Sequence, residues 1–100
     1  MIMELIISGI VTEVHEKAYY ENDRGLYERQ DFVLITTGEY PKHVLFSSYA
    51  KRHRGVPVVN VGEEVIVEFW AKSVLLKGKY YTNLQAIKIE PMILKQVTIE

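Results

Sequence analysis

Two runs of residues with strand-like alternation flank a glycine-centred turn between Val61 and Glu90. In the first run Val65 and Val67 alternate with charged or bulky residues, and a period of two predicts a strand with both valines on one face. The second run, from Tyr80 to Ile89, alternates less regularly. Gly78 lies between the runs and can adopt the positive φ of a tight turn. We therefore predict a β-hairpin here, in a chain dominated by strands.

Composition indicates one globular domain. The chain has 100 residues, of which 48% are apolar and 25% are charged, and this is enough for a single hydrophobic core. We expect one domain over residues 1–100, with a core from about 3 to 90 and a C-terminal extension over 91–100. The chain has no cysteine, which excludes a disulfide framework and a thiolate zinc site.

The first residues, MIMELIISGIV, are apolar but include Glu4 and no basic leader. They do not reach the ~20 apolar residues that a membrane span needs. We interpret them as a first strand and predict a cytoplasmic protein with no membrane partner. The net charge of -1 provides no overall attraction to nucleic acid, so the binding of a polyanion would depend on locally clustered cations.

Turn-forming residues divide the chain into short strand-like runs. Gly9 is the predicted point at which the first strand coils, because glycine has no Cβ. Gly55 and Pro57 limit a helical connector to one short turn. The predicted elements are strand one over 3–16, a loop over 17–26, strand two over 27–36, strand three over 42–48, a helical connector within 49–60, strand four from 64 and strand five over 80–89.

This order of elements is typical of the OB-fold. A long first loop, a connector after strand three and a projecting hairpin before strand five match a five-stranded Greek-key barrel. We therefore predict an all-β protein, a single OB-fold barrel with a short helical connector between strands three and four. Period-two alternation places Phe32, Leu34, Val44 and Phe46 in its core.

Four short segments resemble a family of small bacterial proteins that is catalogued as a domain of unknown function and regarded as single-stranded-DNA-binding-like. They are QDFVL at Gln30 to Leu34, EYPK at Glu39 to Lys42, VGEEV at Val61 to Val65 and KYYTN at Lys79 to Asn83. The resemblance covers about Ile7 to Glu90 and includes no catalytic motif. It implies a fold and a family, and it implies no chemical activity.

A more distant similarity leads to the bacterial single-stranded-DNA-binding protein itself. The run VLFSSYAK, then a connector, then VGEEVIVEF follows the strand, connector, strand order of that protein. In that protein an aromatic residue just before the connector stacks on a base. Tyr49 stands in that position here, so the resemblance implies a stacking role for Tyr49.

Aromatic and cationic side chains converge on one predicted surface. On an OB barrel the usual binding platform is the outward face of strands two and three, flanked by the first loop and the hairpin. Flat rings accept any base at ~1–3 kcal/mol per stacked base, and cations follow the phosphates without reading sequence. The candidate nucleic-acid-binding residues are Arg24, Tyr27, Arg29, His43, Tyr49, Lys51, Arg52, Arg54, Trp70, Lys72, Lys77, Lys79 and Tyr80.

We therefore predict a non-catalytic protein that binds single-stranded nucleic acid, DNA above all, with tolerance of sequence. The alternative is an OB-fold protein–protein interaction or oligomerisation module, a homodimer or tetramer, that binds no nucleic acid. Each candidate also has a purely structural interpretation. Trp70 would cover the barrel rim, residues 51–54 would be a solvated loop, and one of the adjacent Tyr80 and Tyr81 would lie in the core.

Catalysis has little support in the sequence. His15, His43 and His53 lie on different predicted elements with no cysteine nearby, so the spacing does not indicate a metal site. Ser47 and Ser48 lack a G-x-S-x-G setting, and no glycine-rich phosphate loop is present. We predict that the protein is not an enzyme and that it needs no cofactor and no metal.

Overall fold

A computed structural model describes residues 5–92 of the chain, and these form an all-β structure. All of the strands belong to one sheet in the order β1-β5-β6-β4-β3-β2, and β1 also pairs with β3. The strands are β1 (Leu5–Val14), β2 (Ala18–Asn22), β3 (Gly25–Thr36), β4 (His43–Lys51), β5 (Glu64–Leu76) and β6 (Lys79–Pro91). The start of the predicted first strand and most of the predicted C-terminal extension lie outside the described residues.

The predicted loop over 17–26 is wrong, because it contains a strand. Tyr20 pairs with Tyr27 in the β2–β3 hairpin, and the turn signals act only at its tip. There the Asn22 side-chain oxygen accepts a hydrogen bond of 2.8 Å from the backbone N–H of Arg24. Gly25 follows with a φ of 128°, which only glycine adopts readily. Within residues 5–92 the sheet therefore has six strands rather than the five expected.

The predicted helical connector between β4 and β5 is also wrong, since residues 5–92 contain no helix. Gly55 has a φ of 75°, and the residues from Gly55 to Asn60 have no regular secondary structure. The backbone N–H of Val56 donates to the Glu28 carboxylate at 2.9 Å instead of to a helical carbonyl. Val59 then packs into the hydrophobic core. The connector thus begins with a single turn, in which the backbone N–H of Gly55 donates to the Lys51 carbonyl at 2.9 Å, and contacts with distant residues fix the chain after it.

The core lies where the alternation predicted it. Phe32, Leu34 and Phe46 are fully buried, and Val44 packs against them. The ring of Phe46 lies 5.5 Å from that of Phe32 and 5.1 Å from that of Phe69, measured between centroids. Because Phe69 belongs to β5, these rings join the β3–β4 pair to the β5–β6 hairpin.

Strand β1 pairs with two other strands, β5 and β3. Its residues Leu5–Ile10 pair with β5, and its residues Gly9–Val14 pair with β3. At Gly9, where the two ladders overlap, an added Cβ would clash with the carbonyl oxygen of Ile35. The prediction that Gly9 allows the first strand to coil is therefore supported by a close approach of two backbones.

The hairpin predicted around Gly78 is confirmed. Lys77 has a φ of 50° and Gly78 a φ of 80°, the two positive values that a two-residue type I′ turn needs. All residues from Trp70 to Leu76 are exposed, so the outer half of the hairpin projects beyond the core. We call this part, residues 70–85, the projecting hairpin.

Candidate nucleic-acid interface

The register of β3 against β4 places several predicted site residues on one face. Tyr27 lies opposite Lys51, Arg29 opposite Tyr49, and the ladder continues to His43. Directly opposed residues of an antiparallel pair share a face, and so do residues two apart along a strand. These five side chains therefore occupy the outer face of the sheet, opposite the core, as the alternation predicted.

Arg29 organises the centre of this face. Its Nε donates to Oδ1 of Asp31 at 3.0 Å, and its Nη2 donates to Oδ2 at 3.2 Å and to the Ser47 hydroxyl at 3.2 Å. The guanidinium carbon lies 5.4 Å from the centroid of the Tyr49 ring, within cation–π range. Although burial raises the pKa of Asp31, hydrogen bonds from Arg29 and Ser47 outweigh it and hold the pKa below its ordinary value. Asp31 is thus ionised and fixes Arg29 beside Tyr49.

The projecting hairpin forms the second wall of a groove with this face. Lys72 lies opposite Asn83, and Val74 lies opposite Tyr81. The Asn83 side-chain amide donates to the Ser47 hydroxyl at 3.1 Å and so ties the hairpin to the sheet. The resulting cavity of about 500 Å³, which we call the central groove, is lined by Arg29, Tyr49, Lys72, Val74, Leu76, Tyr81, Thr82, Asn83 and Gln85.

Trp70 and Tyr80 lie on opposite faces of the projecting hairpin. Trp70 is 61% exposed and pairs with Gln85, which lines the central groove, so its indole lies on the groove side. Tyr80 pairs with Leu75 on the other side. The expectation that either Tyr80 or Tyr81 is in the core is wrong, because they are 73% and 57% exposed. Both tyrosines lie in the part of the β5–β6 hairpin that projects beyond the core.

The remaining candidate cations lie at the two tips of the structure. Lys77 is in the β5–β6 turn, and Lys79 follows it on the groove side of the hairpin, opposite Leu76. At the far end, the β2–β3 turn meets the turn after β4 around a cavity of about 440 Å³. We call this cavity the end pocket, and it is lined by Arg24, Gly25, Leu26, Lys51, Arg52 and His53. Arg54 is exposed in the same turn, and its backbone N–H donates to the Lys51 carbonyl at 2.9 Å.

A pair of stacked rings lies on the outer face next to the central groove. The Tyr20 and Tyr27 rings are 5.6 Å apart at their centroids and inclined by 14°. Tyr27 is one alternation step from Arg29 and two residues from Gly25, so the rings occupy the same outer face. The groove and the stacked rings follow one another along the outer face of β3. Leu26 and Arg52 of the end pocket lie on the other face, since Arg52 contacts the ring of Tyr19, the neighbour of Tyr20.

The family of this chain is decided by its match over residues 6–90 to the model described as Domain of unknown function (DUF3127). The chain belongs to this family. The resemblance noted in the sequence is therefore confirmed. A search of curated proteins found no match.

Solved structures similar to this DUF3127 chain share its fold at low identity. A small single-stranded DNA-binding protein from Streptomyces coelicolor is 15% identical, with 89% of this chain and 93% of that chain covered and a TM-score of 0.51. The SSB domain of a protein from Synechococcus is 12% identical, with 89% and 94% covered and a TM-score of 0.60. The second OB-fold domain of replication protein A from Methanococcus maripaludis is 13% identical, with 98% and 89% covered and a TM-score of 0.56. The DUF3127 chain therefore shares the OB-fold of these structures.

Sequence reasoning missed several groove residues of the DUF3127 chain. Asp31, Ser47 and Asn83 form the hydrogen-bond network beneath Tyr49, and Tyr81 rather than Tyr80 faces the groove. Alternation from Arg29 could have identified Asp31, and alternation from Lys72 through the turn could have identified Asn83 and Tyr81. The parallel pairing of Ser47 with Gln85 has no local signal.

Within residues 5–92, no group of three or more His, Cys, Asp or Glu side chains could hold a metal ion. No helix there has the length and apolar character that would let it cross a membrane.

Proposed function

We propose that this protein binds single-stranded nucleic acid, with DNA as the main ligand, without catalysis and with tolerance of sequence. The sequential pairing of β1 with β5, β5 with β6, β6 with β4, β4 with β3 and β3 with β1 supports a closed Greek-key OB barrel beneath the binding surface. The observation that carries the proposal is the central groove, in which Arg29 and Tyr49 of the sheet face Lys72 and Tyr81 of the hairpin. Rings and cations in one open groove are what sequence-tolerant binding requires.

The contacts favour different roles for the rings and the cations of this groove. Tyr49 and the stacked Tyr20 and Tyr27 rings offer flat surfaces for bases. The positive charge of Arg29 is largely balanced by the carboxylate of Asp31. The role of Arg29 is therefore to hold the Tyr49 ring. Lys72 forms no ion pair with any other residue of the described chain, so its ammonium group is available for a phosphate. Affinity should therefore depend on Tyr49 for stacking and on Lys72 for charge.

The other candidates extend this surface in both directions. Lys77, Lys79 and Trp70 continue it along the projecting hairpin, and His43 continues it along β4 beside Leu45. Lys51 continues it beside Tyr27, and Arg24 and Arg54 lie in the turns beyond. Arg52 contacts Tyr19 on the other face, and in this proposal it contributes only where a strand passes around the end of the sheet. Tyr80 lies on the opposite side of the hairpin, and in this proposal it contributes only where a strand wraps around the tip.

Tryptophan fluorescence tests the proposal directly. Trp70 is the only tryptophan, lies on the groove side and is exposed, so oligo-dT that enters the groove should quench it. The titration is run at about 50 mM and about 500 mM salt, because neutralisation of phosphates makes affinity fall as salt rises. Oligo-rU in the same assay compares DNA with RNA.

Matched variants separate the groove from the rest of the surface. Tyr49→Ala should weaken binding by at least fivefold, since one stacked base contributes ~1–3 kcal/mol. Tyr40→Ala removes an equally large exposed ring from the β3–β4 turn and should have no effect. Lys72→Gln should weaken binding at low salt more than Lys42→Gln does. If oligo-dT leaves Trp70 fluorescence unchanged at low salt, and if Tyr49→Ala and Tyr40→Ala behave alike in a gel shift, the proposal is wrong.

A second function is supported by the other side of the hairpin. None of the residues on that side is charged: they are Ala71, Ser73, Leu75, Tyr80, Thr82 and Leu84. The Leu75 side chain is 56% exposed. Such a face suits a protein partner or a second copy of the chain. Light scattering of wild type and Leu75→Lys tests this alternative. Association that persists at high salt and is lost in Leu75→Lys would favour it.

A further inference from the structure

Strand β2 has one edge that pairs with no strand of residues 5–92. Its only neighbour in the sheet is β3, and all five of its residues, Ala18–Asn22, are exposed. Its ladder with β3 contains no bulge, and the strand contains no proline. Bulges and prolines are among the features by which edge strands avoid pairing with other chains. β2 therefore keeps an edge that a further strand can join.

The hydrogen bonds of β3 show which backbone groups of β2 face this free edge. β1 and β2 share one edge of β3, because β4 occupies the other. On the shared edge the Asp31 carbonyl accepts a hydrogen bond of 2.9 Å from the His15 N–H. Backbone groups alternate in direction along a strand, so Tyr27 also points to this edge and exchanges hydrogen bonds with Tyr20 opposite. The two neighbours of that residue on β2 therefore direct their N–H and C=O groups outward, and they are Tyr19 and Glu21.

We propose that this edge pairs with the β2 edge of a second copy of the chain, in an antiparallel contact whose two-fold axis passes at Tyr20. In this register Tyr19 of each copy exchanges both backbone hydrogen bonds with Glu21 of the other. The two Tyr20 residues lie directly opposite each other, in a pair without backbone hydrogen bonds, where side chains approach most closely. The contact is the same patch on both copies, as two-fold symmetry requires.

The charges at the two ends of β2 are complementary in this register. Glu16 of one copy lies across from Arg24 of the other, and Lys17 across from Asp23, because each pair is symmetric about position 20. The two-fold axis forms each contact twice. Lys17 already lies 3.4 Å from Glu28 of its own copy. Glu16 and Arg24 form no ion pair within residues 5–92, so their contact contributes more to the preference for a second copy.

Neighbouring registers have poorer charge complementarity. A two-fold axis at Glu21 would place two carboxylates directly opposite each other, which destabilises a strand pair. A two-fold axis at Tyr19 would move Glu16 away from Arg24. The axis at position 20 therefore combines outward backbone groups with opposite charges at both ends.

The exposed rings of the two copies would meet on one face of the joined sheet. Tyr20 is 38% exposed and stacks on Tyr27, with 5.6 Å between the ring centroids. A two-fold axis perpendicular to a continuous sheet leaves the outer faces of both copies on the same side, so the two Tyr20 rings become neighbours. Aromatic pairs across strands are stabilising. The Tyr27 residues of the two copies would lie roughly 14 Å apart, which is three strand spacings of ~4.8 Å. Both central grooves would then open on a common face.

Engineered cysteines test the register, because the chain has no cysteine of its own. Tyr20→Cys should form a disulfide between copies under mild oxidation, since opposed Cα atoms of such a pair are ~4.5 Å apart, within disulfide range. Its rate should exceed that of Tyr40→Cys, in the exposed β3–β4 turn, by about tenfold, because pairing raises the effective concentration. Tyr19→Cys mixed with Glu21→Cys should form mixed disulfides faster than either variant forms with itself.

Sedimentation velocity over a range of concentrations measures the affinity of the pairing. Arg24→Glu places like charges across from Glu16 and should weaken the dimer by about fivefold, whereas Arg24→Glu combined with Glu16→Arg should restore it. Lys42→Glu makes the same change of charge in the β3–β4 turn and should have no effect. Glu21→Pro removes an N–H that the β2–β3 ladder does not use, and it should weaken the dimer by about tenfold. Circular dichroism checks that each variant is folded.

The outcomes decide between this edge and other surfaces. A wild-type chain that stays monomeric, with cysteine at position 20 no more reactive than at position 40, would overturn the proposal. So would fast disulfide formation by Tyr19→Cys alone, or a charge-swapped double variant that stays as weak as Arg24→Glu. A dimer that is unchanged in Glu21→Pro but lost in Leu75→Lys would assign association to the projecting hairpin instead. The pairing does not depend on nucleic acid, so its failure would leave the groove proposal standing.

Discussion

Arg29 and Asp31 form a two-point ion pair on the outer face of β3, with Nε and Nη2 donating to the two carboxylate oxygens at 3.0 and 3.2 Å. Asp31 places a negative charge inside a groove that we propose for phosphates. Asp31→Asn should therefore tighten binding of oligo-dT by about threefold, or about 0.6 kcal/mol, the size of an exposed charge interaction. The salt dependence of the affinity should become steeper, because Arg29 becomes available to a phosphate.

The same substitution should lower the stability of the fold. Loss of a charged hydrogen-bond pair that is partly exposed should cost about 1 kcal/mol of unfolding free energy, measured by urea denaturation. Weaker rather than tighter binding would show that Asp31 acts mainly by positioning Arg29 and Tyr49. Glu39→Gln, in the exposed β3–β4 turn, changes the charge of the chain equally and should leave both quantities unchanged.

Glu28 should make stability depend on acid pH. Its buried carboxylate accepts a hydrogen bond from the Val56 N–H at 2.9 Å and lies 3.4 Å from the Lys17 ammonium. The Val56 N–H first, with Lys17 in support, lowers the pKa of Glu28 below its ordinary value of 4.5 despite the opposing effect of burial. A lowered folded-state pKa gives stability that is present above pH 4.5 and is lost as pH falls through the folded pKa.

Glu28→Gln tests this linkage. The melting temperature should fall by several degrees at neutral pH, and the difference from wild type should shrink as pH falls below 4.5. Thermal melts followed by circular dichroism at several pH values measure both effects. A difference that stays constant across the acid range would mean that Glu28 stabilises the connector by shape alone.

Gly9→Ala should destabilise the protein strongly for its size. The added Cβ would meet the Ile35 carbonyl oxygen, a backbone atom, and also the Leu34 side chain at 2.8 Å. Overpacking of this kind costs about 1–3 kcal/mol, because one of the two ladders of β1 must shift. Ser8→Ala, the preceding residue, is the control for urea denaturation, and it should change stability much less. Equal effects of the two substitutions would mean that the β1–β3 approach is loose.

The sequence predicted the strands where alternation is regular, and it failed where a distant contact decides the local structure. Phe32 and Leu34 are two residues apart on β3 and Phe46 lies directly opposite Phe32 on β4, so their burial on one face agrees with a period of two. The connector between β4 and β5 forms no helix, and its Val56 N–H is bound by Glu28, which is far away in the chain. No local pattern contains that information.

The candidate site likewise has one part that the sequence predicts and one part that it does not. Alternation places Arg29 and Tyr49 on the outer face, since each lies on a strand with a clear period. Alternation does not predict that the projecting hairpin lies against the sheet. The hydrogen bond between Ser47 of β4 and Asn83 of β6 depends on the lengths of both strands. That same length leaves both Tyr80 and Tyr81 exposed, which a two-sided pattern does not predict.

Asn83→Ala should weaken nucleic-acid binding without unfolding the protein. The Asn83 amide donates to Ser47 at 3.1 Å, and this bond holds Lys72 and Tyr81 against the sheet that carries Tyr49. Its loss should cost about 1 kcal/mol, the net value of a neutral hydrogen bond, and therefore about fivefold in affinity for oligo-dT. Hydrogen exchange should become faster along the projecting hairpin, while the core strands keep their protection, because the hairpin contributes little to the core.

Ser73→Ala is the matched control, since it removes the Ser73–Thr82 hydroxyl contact of 2.9 Å but no bond between hairpin and sheet. Equal losses of affinity in the two variants would show that the hairpin acts through its own rigidity, and not through its attachment at Ser47.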